Sequence, residues 1–113
     1  VTNRLTHLAL PLLKHFRMDT RMGCLVGQDT VKRAKPHPDP LLHACKLMNI
    51  QAQNTLYIGD SHTDIQAAHA AQMSSMLATY GYIPDNAKPK EWEADYLINN
   101  PLEIIEWLEA NIR

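Results

Sequence analysis

Cysteine, glycine and aromatic side chains are all scarce in this chain of 113 residues, and net charge is nearly absent. The two cysteines, Cys24 and Cys45, lie far apart and lack the spacing of metal ligands. Neither a disulfide framework nor a zinc site fits them; two reduced, half-buried packing residues do, in keeping with a cytoplasmic protein. Lys and Arg total 11 against 12 for Asp and Glu, a formal charge of -1. So even a balance leads us to expect no nucleic acid and no membrane as partner. No apolar run approaches the roughly 20 residues that span a bilayer. The histidines, at 7, 15, 37, 43, 62 and 69, form no zinc motif.

What is present is an ordinary globular composition, 45% hydrophobic and 20% charged, of a length that suits one small domain over 1–113. The first residues, Val1-Thr2-Asn3, already stand in a structured pattern, so the chain is expected to be part of something longer. Arg4 to His15 reads as an amphipathic helix with Pro11 as a kink. Residues 22–27 read as a short buried strand bracketed by glycines. Asp39, as N-cap, and Pro40 open a second helix to about Asn49. Thr55 to Ile58 is a strand, Asp64 to Gln72 an alanine-rich helix, and Ser75 to Thr79 another strand. A loop from Tyr80 to Glu93 leads to a strand at Asp95 to Ile98 and a helix from Pro101 to Ile112. Such alternation implies an α/β fold, a mostly parallel sheet with helices on both faces and ligands beyond the carboxyl ends of its strands.

Three segments carry chemistry. In Tyr57-Ile58-Gly59-Asp60-Ser61-His62-Thr63-Asp64, a strand delivers Asp60 to its carboxyl end, and Asp64 follows as a helix begins. Two carboxylates at one mouth suit a hard cation such as Mg²⁺; the plainer alternative is a strand-ending Asp60 and a helix-capping Asp64. In Lys35-Pro36-His37-Pro38-Asp39-Pro40, a rigid turn presents Lys35, which suits a phosphate or carboxylate, or is simply an exposed lysine. Thr2-Asn3 before a helix offers hydroxyl, amide and backbone N–H groups to a phosphate oxygen, or an ordinary N-cap. His37 and His62 are either neighbours of a ligand or exposed loop residues. Tyr80-Gly81-Tyr82, after a strand, either lines the site or is a turn with two packing tyrosines.

In this order, Thr2-Asn3, Lys35-Pro36 and Gly59-Asp60-Ser61-X-X-Asp64 resemble the second, third and fourth motifs of the haloacid dehalogenase superfamily. The resemblance covers essentially the whole chain and is nearest to the phosphoglycolate phosphatase branch. It implies a Rossmann-like three-layer sandwich and a Mg²⁺-dependent phosphatase of a small phosphorylated metabolite, working through an aspartyl-phosphate. By position, Thr2 would bind the phosphoryl group with Asn3 beside it, and Lys35 would steady its charge. Asp60 would bind Mg²⁺, and Asp64 would orient Lys35 or a metal-bound water.

The family's first motif, Asp-X-Asp-X-Thr, supplies the attacking carboxylate and the acid; no Asp-X-Asp occurs in these residues. The cap domain that dominates substrate choice is missing as well. The resemblance therefore implies a sheet lacking its first central strand, a chain inactive alone, and self-association or a partner strand that fills the gap. The segments 41–46, 92–95 and 100–103 look more like N-acetylmuramic acid 6-phosphate phosphatases. A phosphosugar mutase would share every motif, and a non-catalytic interaction module is the reading from another class.

Overall fold

The computed structural model describes residues 1–111 apart from 19, 21 and 82. Its centre is a three-stranded parallel sheet, β1 (Leu56–Gly59), β2 (Ser74–Ala78) and β3 (Tyr96–Ile98), ordered β1-β2-β3. Around it lie helices α1 (Thr6–His15), α2 (Asp39–Met48), α3 (His62–Ala70) and α4 (Leu102–Asn111). An α/β fold with a parallel sheet is what the alternation of elements implied. Its strands are short, and β1 stands at an edge of the sheet.

Side chains alternate across a strand, and that alternation sorts the core into two layers. Leu56, Met76, Ala78 and Ile98 share one face, where Ile104 and Trp107 of α4 pack against them. Tyr57 is on the other face and joins Leu41 of α2 with Ala67, Ala68 and Ala71 around α3. Ile65 and Leu77 are fully buried. The small alanines let α3 approach the sheet closely, which brings its first turn to the end of β1.

The structure corrects several expected elements. Residues 22–27 form no strand; they are tethered to the start of the chain by two hydrogen bonds, Thr2 N to Val26 O and Gln28 N to Arg4 O, both 2.9 Å. A strand requires a continuous ladder, and two bonds do not make one. Helix α1 starts at Thr6 rather than Arg4 because Leu5 is still extended (φ -62°, ψ 143°). Leu5 supplies no side-chain cap; Asp29 serves instead, accepting from Thr6 N at 2.9 Å and Thr6 Oγ1 at 2.8 Å. Pro11 lies inside the helix.

In α2 the N-cap is Pro38, and the expected cap Asp39 is the first helical residue, paired with Arg33 at 2.9 Å. The helix ends where Asn49 turns left-handed (φ 56°). The loop 80–93 contains a 3₁₀ turn, Pro89–Trp92. Ile112, expected on the apolar face of α4, lies outside the described residues.

Candidate active site

The chain leaves β1 at Gly59, and α3 begins at His62, so Asp60 and Ser61 form the whole connection. Ser61, not Asp64, is the N-cap of α3. Its hydroxyl accepts from Asp64 N at 3.3 Å, and the Asp64 carboxylate reaches back to the cap, the reciprocal arrangement that satisfies two of the unpaired donors at a helix start. Asp64 Oδ2 accepts from Asp60 N (3.1 Å), Ser61 N (3.2 Å) and Ser61 Oγ (2.9 Å). Gly59 is needed for this approach, because a Cβ there would collide with the Asp64 side chain.

The other Asp64 oxygen faces Lys35. Lys35 Nζ donates to Asp64 Oδ1 at 2.5 Å, and the two side chains are only 10% and 7% exposed. Lys35 is thus no solvated loop lysine. The Tyr57 phenol completes a triangle, donating to Asp64 Oδ1 and accepting from Lys35 Nζ, each at 3.3 Å. Burial opposes ionisation of Asp64, but the Lys35 bond and charge, then Ser61 and the Asp60 amide, outweigh it. They hold the carboxyl below its ordinary range. Burial, then the Asp64 charge, pushes the Tyr57 phenol well above its ordinary value.

Thr2 and Asn3 are placed differently from expectation, since α1 begins only at Thr6. Thr2 Oγ1 accepts from Arg4 N at 3.1 Å, a local turn rather than a helix cap. The Asn3 amide grips the Lys35 backbone from both ends, with Oδ1 accepting from Lys35 N (3.1 Å) and Nδ2 donating to Lys35 O (3.2 Å). Asn3 thereby fixes where Lys35 starts, while Asp64 and Tyr57 fix where it ends.

Thr2, Lys35, Asp60 and Asp64 converge on one open trough of about 400 Å³, floored by Tyr57 to Gly59 and bounded by Tyr80 and Gly81. Asn3 stands behind it, holding the Lys35 backbone. His37 does not line this trough. His62 is exposed at the head of α3 with its ring stacked on Trp92, 5.1 Å between centroids and 6° between planes. Gly81 lies so close to Asp60 that a Cβ there would meet the carboxylate. Tyr82 is outside the described residues.

The haloacid dehalogenase-like hydrolase family model matches residues 1–78, which carry all five of these side chains. The chain belongs to that family. Among relatives of this haloacid dehalogenase-like chain is the N-acetylmuramic acid 6-phosphate phosphatase of Pseudomonas putida, 35% identical over 97% of this chain and 49% of its own length. The phosphoglycolate phosphatase of Xylella fastidiosa is 41% identical over 89% of this chain and 44% of its own. The crystal structure of a predicted phosphoglycolate phosphatase from Haemophilus somnus superposes with a TM-score of 0.86 at 30% identity, covering 95% of this chain and 47% of that one. The haloacid dehalogenase-like chain therefore spans about half the length of the curated relatives it matches.

For Mg²⁺, which prefers hard oxygen donors, the donor set is one-sided. Both Asp64 oxygens are engaged by protein donors, which leaves Asp60 as the carboxylate facing the trough. Among the described residues no group of three or more His, Cys, Asp or Glu side chains is placed to hold a metal ion. The residues present fit one carboxylate of a Mg²⁺ site and no more.

Sequence reasoning missed Tyr57 and the capping role of Ser61. The signal for Ser61 was available, since Ser-X-X-Asp imitates a capping box. The signal for Tyr57 was its phase in the strand: two residues before Gly59, on the α3 side of the sheet.

Proposed function

We propose that these residues form the phosphate-holding half of a Mg²⁺-dependent phosphomonoester hydrolase. The observation that carries the reading is the Lys35–Asp64 pair, almost wholly buried yet facing a trough shared with Thr2 and Asp60. A lysine held this firmly suits a phosphoryl group, whose transfer depends mainly on positioning and charge stabilisation. In this reading Lys35 neutralises phosphoryl oxygens, Thr2 donates its hydroxyl to one of them, and Asp64 keeps Lys35 charged and aimed. Asp60 would hold Mg²⁺, which when bound offsets further negative charge on the phosphate. Asn3 sets the Lys35 backbone.

The attacking carboxylate comes from a segment outside these residues. Its oxygen bonds to phosphorus as the ester P–O bond breaks, the leaving alkoxide takes a proton, and water then splits the acyl phosphate into orthophosphate and carboxylate. A strand bearing that carboxylate would lie along the edge of β1, whether from the same polypeptide, a second copy or a partner. These 113 residues alone are expected to release no phosphate. Both cysteines are free thiols, which suits the cytoplasm.

Phosphoglycolate is the substrate we favour, and N-acetylmuramic acid 6-phosphate is the second, supported by the relative matched over 97% of the chain. The test joins these residues to the remaining half of the Xylella fastidiosa enzyme and measures orthophosphate released from each ester with Mg²⁺. We expect turnover, and a fall of about 10²–10³ in kcat for Lys35→Ala. A folded chimera without turnover on either ester, or one indifferent to Lys35, refutes the reading.

A further inference from the structure

Tyr57 occupies an unusual boundary. Its ring packs against the Leu41, Ala67, Ala68, Ala71 and Met73 cluster and lines a separate apolar groove of about 160 Å³ with Ala44, Cys45 and Met48. Its hydroxyl bonds Lys35 and Asp64, which line the polar trough. A tyrosine suits such a place because one end is apolar and the other makes hydrogen bonds. Lys35 Nζ lies 5.9 Å from the ring centroid as well as 3.3 Å from the hydroxyl. The ammonium therefore lies beyond the phenol oxygen and meets the hydroxyl rather than the ring face.

An ammonium has three donors and no acceptor. Two of the Lys35 donors are engaged, by Asp64 Oδ1 and by Tyr57. We infer that Tyr57 is a positioning residue: its hydroxyl, wedged between Lys35 and Asp64, fixes the lysine so that its third N–H points into the trough. A lone carboxylate would leave Lys35 free to swing about a single bond; a second fixed acceptor removes that freedom. An ordinary phenol is protonated throughout the neutral range, and burial and Asp64 push this one further up, so it can donate to Asp64 there. The inference deepens the reading of Lys35 as the phosphate-facing charge, but its test requires no turnover.

The test uses the 113-residue chain and its Tyr57→Phe variant, which keeps the ring and removes only the hydroxyl. An amine-selective acylating reagent is applied, and modification of each lysine is followed by peptide mass spectrometry. Lys35 is expected to react about tenfold faster in the variant, as befits loss of one hydrogen bond to a charged group, while exposed Lys46 of α2 is unchanged. Equal Lys35 rates in the two folded proteins overturn the inference. In the wild type, a nuclear Overhauser contact between the Tyr57 hydroxyl proton and the Lys35 ε-methylene is the second expectation. This contact reports that the hydroxyl itself, and not only the ring, lies against the lysine, and a Tyr57 hydroxyl proton seen without it overturns the inference even if Tyr57→Phe fails to fold. A chimera without turnover would refute the phosphatase reading and leave both of these results standing.

Discussion

Residues 56–98 and residues 1–37 share a chain and a trough, yet they are built on different terms. In the first region, Ile65, Ala67, Ala68, Met76 and Leu77 are fully buried. In the second, Ala9 and Val26 are the buried hydrophobics, while Leu8, Leu10, Leu12, Phe16, Met18 and Met22 are more than a third exposed. Helix α1 has the sharper apolar stripe and α3 a weak one, but α3 is the buried helix. An apolar stripe says which side of a helix can be covered; a hydrogen-bonded sheet alongside decides whether it is. The early region contributes Thr2, Asn3 and Lys35, and its order comes from polar tethers such as Asn3 to Lys35 and Asp29 to Thr6.

The comparison can be broken most forcefully at its two ion pairs. Asp64→Ala leaves Lys35, only 10% exposed, without its carboxylate and should cost about 3–5 kcal/mol of unfolding free energy in urea. Arg33→Ala removes the Arg33–Asp39 pair, whose arginine is 62% exposed, and should cost no more than about 1 kcal/mol. Similar losses at both would erase the contrast. Next in size are two apolar truncations read by the same titrations. Ile65→Ala should cost about 2–5 kcal/mol, and Leu8→Ala, at a site 51% exposed, about 0.5 kcal/mol or less.

Gly59→Ala should cost about 1–3 kcal/mol, since the new methyl group must displace the Asp64 side chain. It should also perturb the amide resonances of Asp60 and Ser61, which donate to that carboxylate. The smallest effect is on pH dependence. The Asp64 carboxyl titrates below its ordinary value of 3.8 in the folded chain, so its stabilising contribution is complete above that value. On acidification the unfolded chain takes up the proton first, and the contribution disappears as pH falls through the folded pKa. Asp64→Asn should flatten this part of the acid limb. An unchanged acid limb would place the sensitivity elsewhere.

Local pattern was enough to place β1, β2, β3 and α2 to within a residue or two, because apolar runs ended by Gly, Asn or Pro leave few alternatives. It also put Asp60 and Asp64 at one mouth, whereas Lys35 joins them only through the ordered resemblance of the three motifs. It failed at 22–27, whose composition suits a strand but which meets the start of the chain, among the described residues, through one bond at Val26 and another just beyond at Gln28. It places the start of α3 two residues late, at Asp64, because the cap is Ser61 and Asp64 answers it from the third helical position. Asn3 was read as facing a ligand, whereas both ends of its amide are occupied by a backbone 32 residues away. Such a long-range bond leaves no periodicity behind.

The reciprocal cap at Ser61 and Asp64 also has a kinetic meaning. Helix ends fray readily, and local opening costs far less than global unfolding. Here the carboxylate that closes the first turn of α3 is one of the two partners of Lys35, so unwinding that turn loosens the lysine and leaves it to Tyr57 alone. Proton exchange at the Asp64 amide, which donates to the hydroxyl and carbonyl of Ser61, then reports how often the charge over the trough loses its carboxylate anchor.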